Sequence, residues 1–291
     1  MLLKPLLLAT ISIALLNGCG GGGGGDGGSG SGSGGAGAGV TTVSTFVTDA
    51  DLSGSRHIAF SGSDLYVAVD VPASASDKVL KFDSAGVKTT LVPSGTFSGI
   101  TSPFGIAASG SDVYVAGTVA ASQRLYLVAN GSPAAGLPTC NCYGIAYDGT
   151  NLSYADQSTQ SVYTYRGGAL YRTNLVNFKP TGLVFHNSDL YVTRFDATTT
   201  GAIQKIDLAN NSVANFAGSS LFNNPNAITV DPATGNFYVV NDGDGKVLKI
   251  SGGNVTVHLD SSHGLNSPGG VAVGNGFLYV SNNGFILKAS L

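Results

Sequence analysis

The chain has 291 residues, of which only 11% are charged, 43 are Gly and none is Trp. Its 14 Lys and Arg stand against 17 acidic residues, every one of them Asp, for a net charge of −3. No Lys/Arg cluster occurs, which excludes the electrostatic footprint of a nucleic-acid-binding surface, and the lack of Glu beside abundant Gly, Ser and Asn speaks for strands and turns rather than helices.

The first element in chain order is an export leader. Met1-Leu2-Leu3-Lys4 is a short basic start. The apolar run over residues 6–16 is about half of the ~20 residues a membrane-spanning helix requires. Small residues and Cys19 follow, the layout of a secretion signal rather than an anchor helix.

Leu16-Asn17-Gly18-Cys19 resembles the lipobox of bacterial lipoproteins, in which the Cys becomes the N-terminus and is lipidated. The resemblance implies a signal peptide over residues 1–18 and acylation at Cys19; ordinary secretion with a Cys beside the cleavage site is the alternative. Gly20, not Asp, follows the Cys, which by resemblance to Gram-negative sorting rules implies the outer membrane, facing the periplasm or the exterior. The rest of the 19–39 segment is nearly all Gly and Ser and cannot bury a core, so it is expected to be flexible coil. Twenty such residues have a root-mean-square reach of roughly 25 Å, enough to hold a domain over residues 40–291 off a membrane that it touches only through the lipid.

Six copies of one phrase follow, about 40 residues apart, the repeat length of a four-stranded propeller blade. Each has a short apolar strand, a polar turn and an aromatic-rich strand. The copies begin at His57-Ile58-Ala59-Phe60, Pro103-Phe104-Gly105-Ile106-Ala107, Cys142-Tyr143-Gly144-Ile145-Ala146, Pro180-Thr181-Gly182-Leu183-Val184, Pro225-Asn226-Ala227-Ile228-Thr229 and Pro268-Gly269-Gly270-Val271-Ala272. Second strands such as Asp189-Leu190-Tyr191-Val192 and third strands such as Lys246-Val247-Leu248-Lys249-Ile250 are bounded by Gly, Asn, Asp and Ser, the signature of consecutive hairpins. A fourth strand reads clearly in most copies and weakly around residues 131–137 of the second. The sixth copy has none before Leu291, whereas residues 41–47 read as a fourth strand with no blade of their own. The expectation is an all-β, six-bladed propeller in which this N-terminal strand completes the last blade and so leaves no open sheet edge.

The Pro-x-Gly-Ile-Ala, Leu-Tyr-Val-Ala and Lys-Val-x-Lys-Ile pattern resembles the NHL repeat. The count of six is similar to the wider group that includes gluconolactonase/senescence-marker and TolB-like propellers. That resemblance implies the fold and not an activity, because one propeller fold hosts many functions.

In such a fold the loops that enter each innermost strand, and those between second and third strands, share one face around the channel. That face collects Arg56, His57, Asp70, Tyr143, Asp156, Arg194, Asp196, Asn226, Asn241, Asp242, Asn282 and Asn283, and convergent polar groups at a concave mouth are the default ligand-site expectation. A structural role competes at Asp156, Asn241 and Asn282, where a short polar side chain after the second strand caps turn N–H groups. Gluconolactonases hold a divalent metal with a Glu, an Asn and an Asp. Here Asn226 matches in kind, but there is no Glu, and Arg56-His57 stands where that family has a carboxylate. No metal or other cofactor is expected, with a divalent cation such as calcium on Asp and Asn the one opening left. Asn241-Asp242-Gly243-Asp244-Gly245 resembles the start of a calcium loop but lacks its distal Glu, and because it aligns with the ordinary loop before a third strand the expectation is a tight Gly-rich turn.

Of the four His residues only His57 and His263 lie in loops of this face, and no Gly-x-Ser-x-Gly elbow occurs in the repeats. Cys140 and Cys142 sit one residue apart in the loop entering the third copy. An oxidising compartment favours a local disulfide there, with a soft-metal dithiolate as the alternative. The functional expectation is a lipid-anchored envelope propeller that binds or scaffolds a protein, peptide or glycan. The rival is a metal-dependent lactonase-like hydrolase or a lyase in the central pocket.

Overall fold

The computed structural model describes residues 41–71, 77–92, 100–119, 122–128, 132–133, 139–196 and 202–291. The chain divides into Met1–Gly39 and Val40–Leu291. The expected leader, the lipidation site Cys19 and the linker therefore lie outside the described residues, as does most of the weak fourth strand expected over residues 131–137.

The described part is a ring of six small antiparallel sheets. Strand β1 (Val43–Thr48) opens the chain. Blade one is β2 (Ser55–Ser61), β3 (Asp64–Val69), β4 (Lys78–Phe82) and β5 (Lys88–Val92). Blade two holds β6 (Ile100–Thr101), β7 (Ile106–Ser109), β8 (Asp112–Val119), β9 (Ser122–Leu127) and the two-residue β10 (Ser132–Pro133). Here β6 and β7 pair with successive stretches of β8, a division of the inner strand that the repeat pattern does not announce. Blade three is β11 (Cys142–Tyr147), β12 (Asn151–Asp156), β13 (Ser161–Arg166) and β14 (Ala169–Leu175). Blade four is β15 (Pro180–His186), β16 (Asp189–Arg194), β17 (Ile203–Asp207) and β18 (Ser212–Ala217). Blade five is β19 (Pro225–Val230), β20 (Phe237–Asn241), β21 (Lys246–Ser251) and β22 (Asn254–Leu259), and blade six continues with β23 (Pro268–Gly274), β24 (Phe277–Asn282) and β25 (Phe285–Ala289).

The outer edge of blade six is filled by β1, which pairs with β25 from Val43 opposite Ala289 to Thr48 opposite Phe285. The N-terminal strand thus closes the ring, as the sequence predicts. An ionic clamp secures the joint: Lys78 pairs with Asp51 at 2.6 Å, and Lys88 reaches both Asp49 and Asp51 at 2.7 Å. Just after β1, Leu52 is fully buried between blades six and one.

The core lies between blades. The branched or aromatic residues on the two faces of each sheet meet those of the next, as where Tyr238, Val240 and Val247 of blade five meet Val271, Leu278 and Val280 of blade six. Each such fully buried side chain contributes about 1.5–3 kcal/mol.

The repeated Gly of the inner strand has a steric cause. A Cβ on Gly144 would lie 1.6 Å from the Thr181 carbonyl oxygen of the next blade, and one on Gly182 would lie 2.2 Å from that of Asn226. Only Gly lets neighbouring backbones approach this closely. Hydroxyls fasten the same contacts: Thr193 donates to the Asn226 carbonyl at 2.7 Å, and Ser281 donates to that of Arg56 at 2.7 Å across the closing joint.

Candidate functional site

The inner strands carry a bulge at the start of the repeated motif, between Ser55 and Ile58, Cys142 and Ile145, Pro180 and Leu183, Pro225 and Ile228, and Pro268 and Gly270. A bulge re-aims the side chains at its site. The residue at the variable position of the motif reaches the channel mouth in every blade: Arg56, Phe104, Tyr143, Thr181, Asn226 and Gly269 line one cavity of about 190 Å³. Below it, the residue after the Gly supplies a ring of branched aliphatic side chains, one per blade: Ile58, Ile106, Ile145, Leu183, Ile228 and Val271. The free space at this ring shrinks to about 30 Å³ before widening to about 270 Å³ beside Phe60 and Phe185, so the mouth is a cup set above a constriction.

Blade one has His57 where most blades have the motif Gly, and its side chain borders both the cup and the ring. Burial pulls its imidazole pKa down to about 4; the Arg56 charge adds to this and a hydrogen bond to Asn226 opposes it. His57 is therefore neutral at physiological pH. The loops between second and third strands add Gln157, Phe195 and Asp242. The Phe104 and Tyr143 rings stack with centroids 5.1 Å apart and planes inclined by 28°.

Five residues expected at a ligand-binding face thus converge here: Arg56, His57, Tyr143, Asn226 and Asp242. The other seven do not line the cup. Asp70 is 6% exposed at its side chain and accepts from the Arg56 guanidinium at 3.0 Å, holding that 46%-exposed side chain at the rim. Asp156 accepts from the Ser158 and Thr159 N–H groups and caps its own turn. Asn241 is buried and donates to the Leu221 carbonyl at 2.7 Å. Asn282 is buried too, accepts from the Asn266 N–H at 2.6 Å and donates to the Gly264 carbonyl at 2.9 Å. Each of these last three serves a turn or an incoming loop. Arg194 pairs with Asp196 at 2.8 Å and lies over the Phe178 ring. His263 is also spent locally, as its Nδ1 meets the Asp260 carboxylate at 2.9 Å in a capping box.

Phe104, Thr181, Gln157 and Phe195 were not singled out by the polar-residue argument. The signal that finds the first two is positional, the variable residue of the Pro-x-Gly motif, whatever its polarity. Cys140 and Cys142 are paired through their sulfurs, with Cα atoms 5.1 Å apart, in the segment that delivers Tyr143 to the cup. The Asn241–Gly245 stretch is a tight turn closed by the Gly245 N–H on the Asn241 carbonyl at 3.0 Å. Among the described residues no group of three or more His, Cys, Asp or Glu is placed to hold a metal. With Asp242 its one carboxylate, the cup does not fit calcium, which collects six to eight oxygens and several charges.

Fold and cup together define a six-bladed β-propeller with a polar mouth at one end of its channel. No protein-family model and no curated protein matches the sequence. Among solved structures, the chain is similar to an auxiliary nutrient binding protein from Bacteroides thetaiotaomicron, with a TM-score of 0.64, 12% identity and coverage of 86% of this chain and 76% of that one. It is similar to a gluconolactonase from Xanthomonas campestris, with a TM-score of 0.62, 13% identity and coverage of 86% and 89%. A virginiamycin B lyase from Staphylococcus aureus has a TM-score of 0.57, 13% identity and coverage of 86% and 99%. These likenesses show the six-bladed fold.

Proposed function

We propose that the protein is a lipid-anchored binding module of the bacterial cell envelope, built from NHL-like repeats. Its cup receives a projecting group of a protein, peptide or glycan partner. The observation that carries this reading is the cup itself, which gathers the variable position of all six repeats. It sets the Phe104–Tyr143 stack beside the polar groups of Arg56, Asn226 and Asp242. A stacked aromatic pair offers apolar contact and the polar groups fix orientation, the usual division of labour in a ligand site. At about 190 Å³ the cup is smaller than the roughly 300–1,000 Å³ of sites that enclose a whole drug-sized ligand, so it suits one side chain or one terminal sugar. A nutrient-binding protein of the same fold supports a binding role.

Probing peptide and glycan arrays with the full chain tests this reading. Tyr143→Ala or Asn226→Ala should abolish the strongest signals without lowering the melting temperature by more than a few degrees. A ligand that binds both variants as well as the parent would exclude the cup.

The second reading, a hydrolase or lyase, draws on one observation: the neutral imidazole of His57 at the cup floor, hydrogen-bonded to Asn226, which has the protonation state of a general base. Turnover of a lactone or cyclic ester by the full chain, lost in His57→Gln, would put this reading first. So would a stoichiometric divalent cation found by elemental analysis and lost in Asn226→Ala.

A further inference from the structure

A second cavity lies elsewhere. About 590 Å³ opens between blades two and three, at the end of β11 remote from Tyr143 and the cup. Its walls differ from every other gap between blades because the second strand of blade three breaks the repeat. Where five blades have Tyr-Val in the middle of this strand, as at Tyr66-Val67 and Tyr191-Val192, blade three has Ser153-Tyr154. The swap moves an aromatic ring onto the face toward blade two. Tyr154 stacks there with Tyr163 and Tyr165, at centroid distances of 5.1 and 6.0 Å. Tyr114 of blade two meets Tyr147 edge to face at 5.0 Å. Five of the chain's 12 Tyr residues thus gather at one interface.

Three features give this groove a ligand chemistry. Part-exposed Tyr114 and Tyr147 border the open space with the buried Tyr165 behind them, and aromatic faces carry a negative quadrupole potential that attracts polarised C–H groups. The rim is made by the Gly149-Thr150 and Gly167-Gly168 turns; Gly167 and Gly168 are exposed, and no atom lies within 4 Å of where a Cβ would stand on either. Arg166 stands at the same rim, exposed, its Nε–H on Asn151 at 2.9 Å, and no carboxylate pairs with it among the described residues. Its guanidinium lies 3.9 Å from the Tyr171 ring, with Arg172 4.2 Å from the same ring, so two cations share one aromatic support. Two carboxylates stand near Tyr147 and keep their charge, each fixed by neutral donors. Asp148 accepts three bonds of 2.6–2.8 Å from Thr150 and Asn151, and Asp112 accepts from the Tyr147 hydroxyl at 3.4 Å.

We propose that this groove binds an acidic oligosaccharide. Sugar rings lie on the tyrosines, their hydroxyls meet the glycine-turn backbone, and a uronate carboxylate meets Arg166. Arg is suited to that last contact because its planar fork matches a carboxylate and its charge does not titrate. A proline-rich peptide would also find aromatic groups here, but it would leave Arg166 without a carboxylate partner. The site is independent of the cup, so each can fail alone.

Isothermal titration of the full chain with oligomers of galacturonate, of mannuronate and of glucuronate-containing chains, each beside its methyl-esterified form, tests the proposal. At least one free acid is expected to bind and its ester to bind about tenfold or more weakly, with Arg166→Gln reproducing that loss. Thr150→Trp, on an exposed turn where folding is not at stake, should block the groove. Tyr143→Ala should leave the affinity unchanged. The idea is overturned if no uronate oligomer binds, if ester and acid bind alike, or if Arg166→Gln has no effect. It is equally overturned if Tyr143→Ala removes the binding, which would move the ligand to the cup, or if a proline-rich peptide is the ligand that Thr150→Trp displaces.

Discussion

Asn226 and Asn282 are the same residue type near the same end of the ring, yet their surroundings assign them opposite work. Asn282 is buried and joins the Asn266 N–H to the Gly264 carbonyl, so it fastens the loop that enters blade six. Replacing it by Ala strands a donor and an acceptor at once, which costs about 1–3 kcal/mol per buried group left unpaired. Asn282→Ala is therefore expected to lower unfolding stability by about 2 kcal/mol, and Asn226→Ala, at the cup surface, by about 1 kcal/mol or less. Urea unfolding of the two variants side by side checks this, and an equal loss in both would remove the distinction between scaffold and site. His57 gives a second residue-scale expectation. Its pKa is about 4 in the folded protein against 6.5 for the free side chain. Above pH 6.5 the imidazole is neutral in both states and has no effect on stability. As pH falls from 6.5 toward 4 the unfolded chain takes up the proton first, so the folded state loses stability by at most about 1.4 kcal/mol per pH unit. His57→Gln should unfold less steeply with acid across that window than the parent; parallel pH profiles would show that His57 is not desolvated.

Among the elements, β1 is the one whose removal should be felt across the molecule. It supplies the fourth strand of blade six, and the residues just after it carry Asp49, Asp51 and the buried Leu52. A chain beginning at Thr41 should fold to a stable monomer. One beginning after Leu52 should melt well below it and aggregate, because β25 would then present an unpaired edge above an uncovered apolar face. Matching melting temperatures for the two would refute closure by β1. The β11–β12 pair shows how a single element departs from the repeat. Exchanging Tyr-Val for Ser-Tyr keeps the strand, since both orders satisfy the alternation of a buried sheet. It also changes which neighbour receives the aromatic ring.

For the whole molecule, the shape sets two cavities at opposite ends of blade three, one at the Tyr143 end of β11 and one at the Tyr147 end. The proposed acyl anchor belongs to this scale. Cys19→Ala is expected to move the protein from the membrane fraction to the soluble one. The basis is that stable attachment needs two lipid signals or more, and the Gly/Ser segment after Cys19 has no apolar run or basic cluster to hold a bilayer in their place. Unchanged membrane sedimentation of the variant would remove lipidation at Cys19 from the account.

The sequence by itself determined the number of blades, their strand order and the origin of the closing strand. Those follow from hairpin periodicity and from a four-strand unit that is one strand short at one end and one strand over at the other, all of it local along the chain. It also marked half of the cup, since Arg56, His57, Tyr143, Asn226 and Asp242 announce themselves by polarity in the right loops. Only the tertiary structure decided which polar residues face the cup and which hold loops. Asp70, Asn241 and Asn282 occupy the same kind of sequence position as ligand-facing groups, and what separates them is a partner at 2.6–3.0 Å from a distant or neighbouring segment. The apolar members of the cup, Phe104 and Phe195, and the tyrosine groove between blades two and three were likewise settled by packing. An aromatic ring in a strand reads as core until the ring of blades shows which side of it is left open.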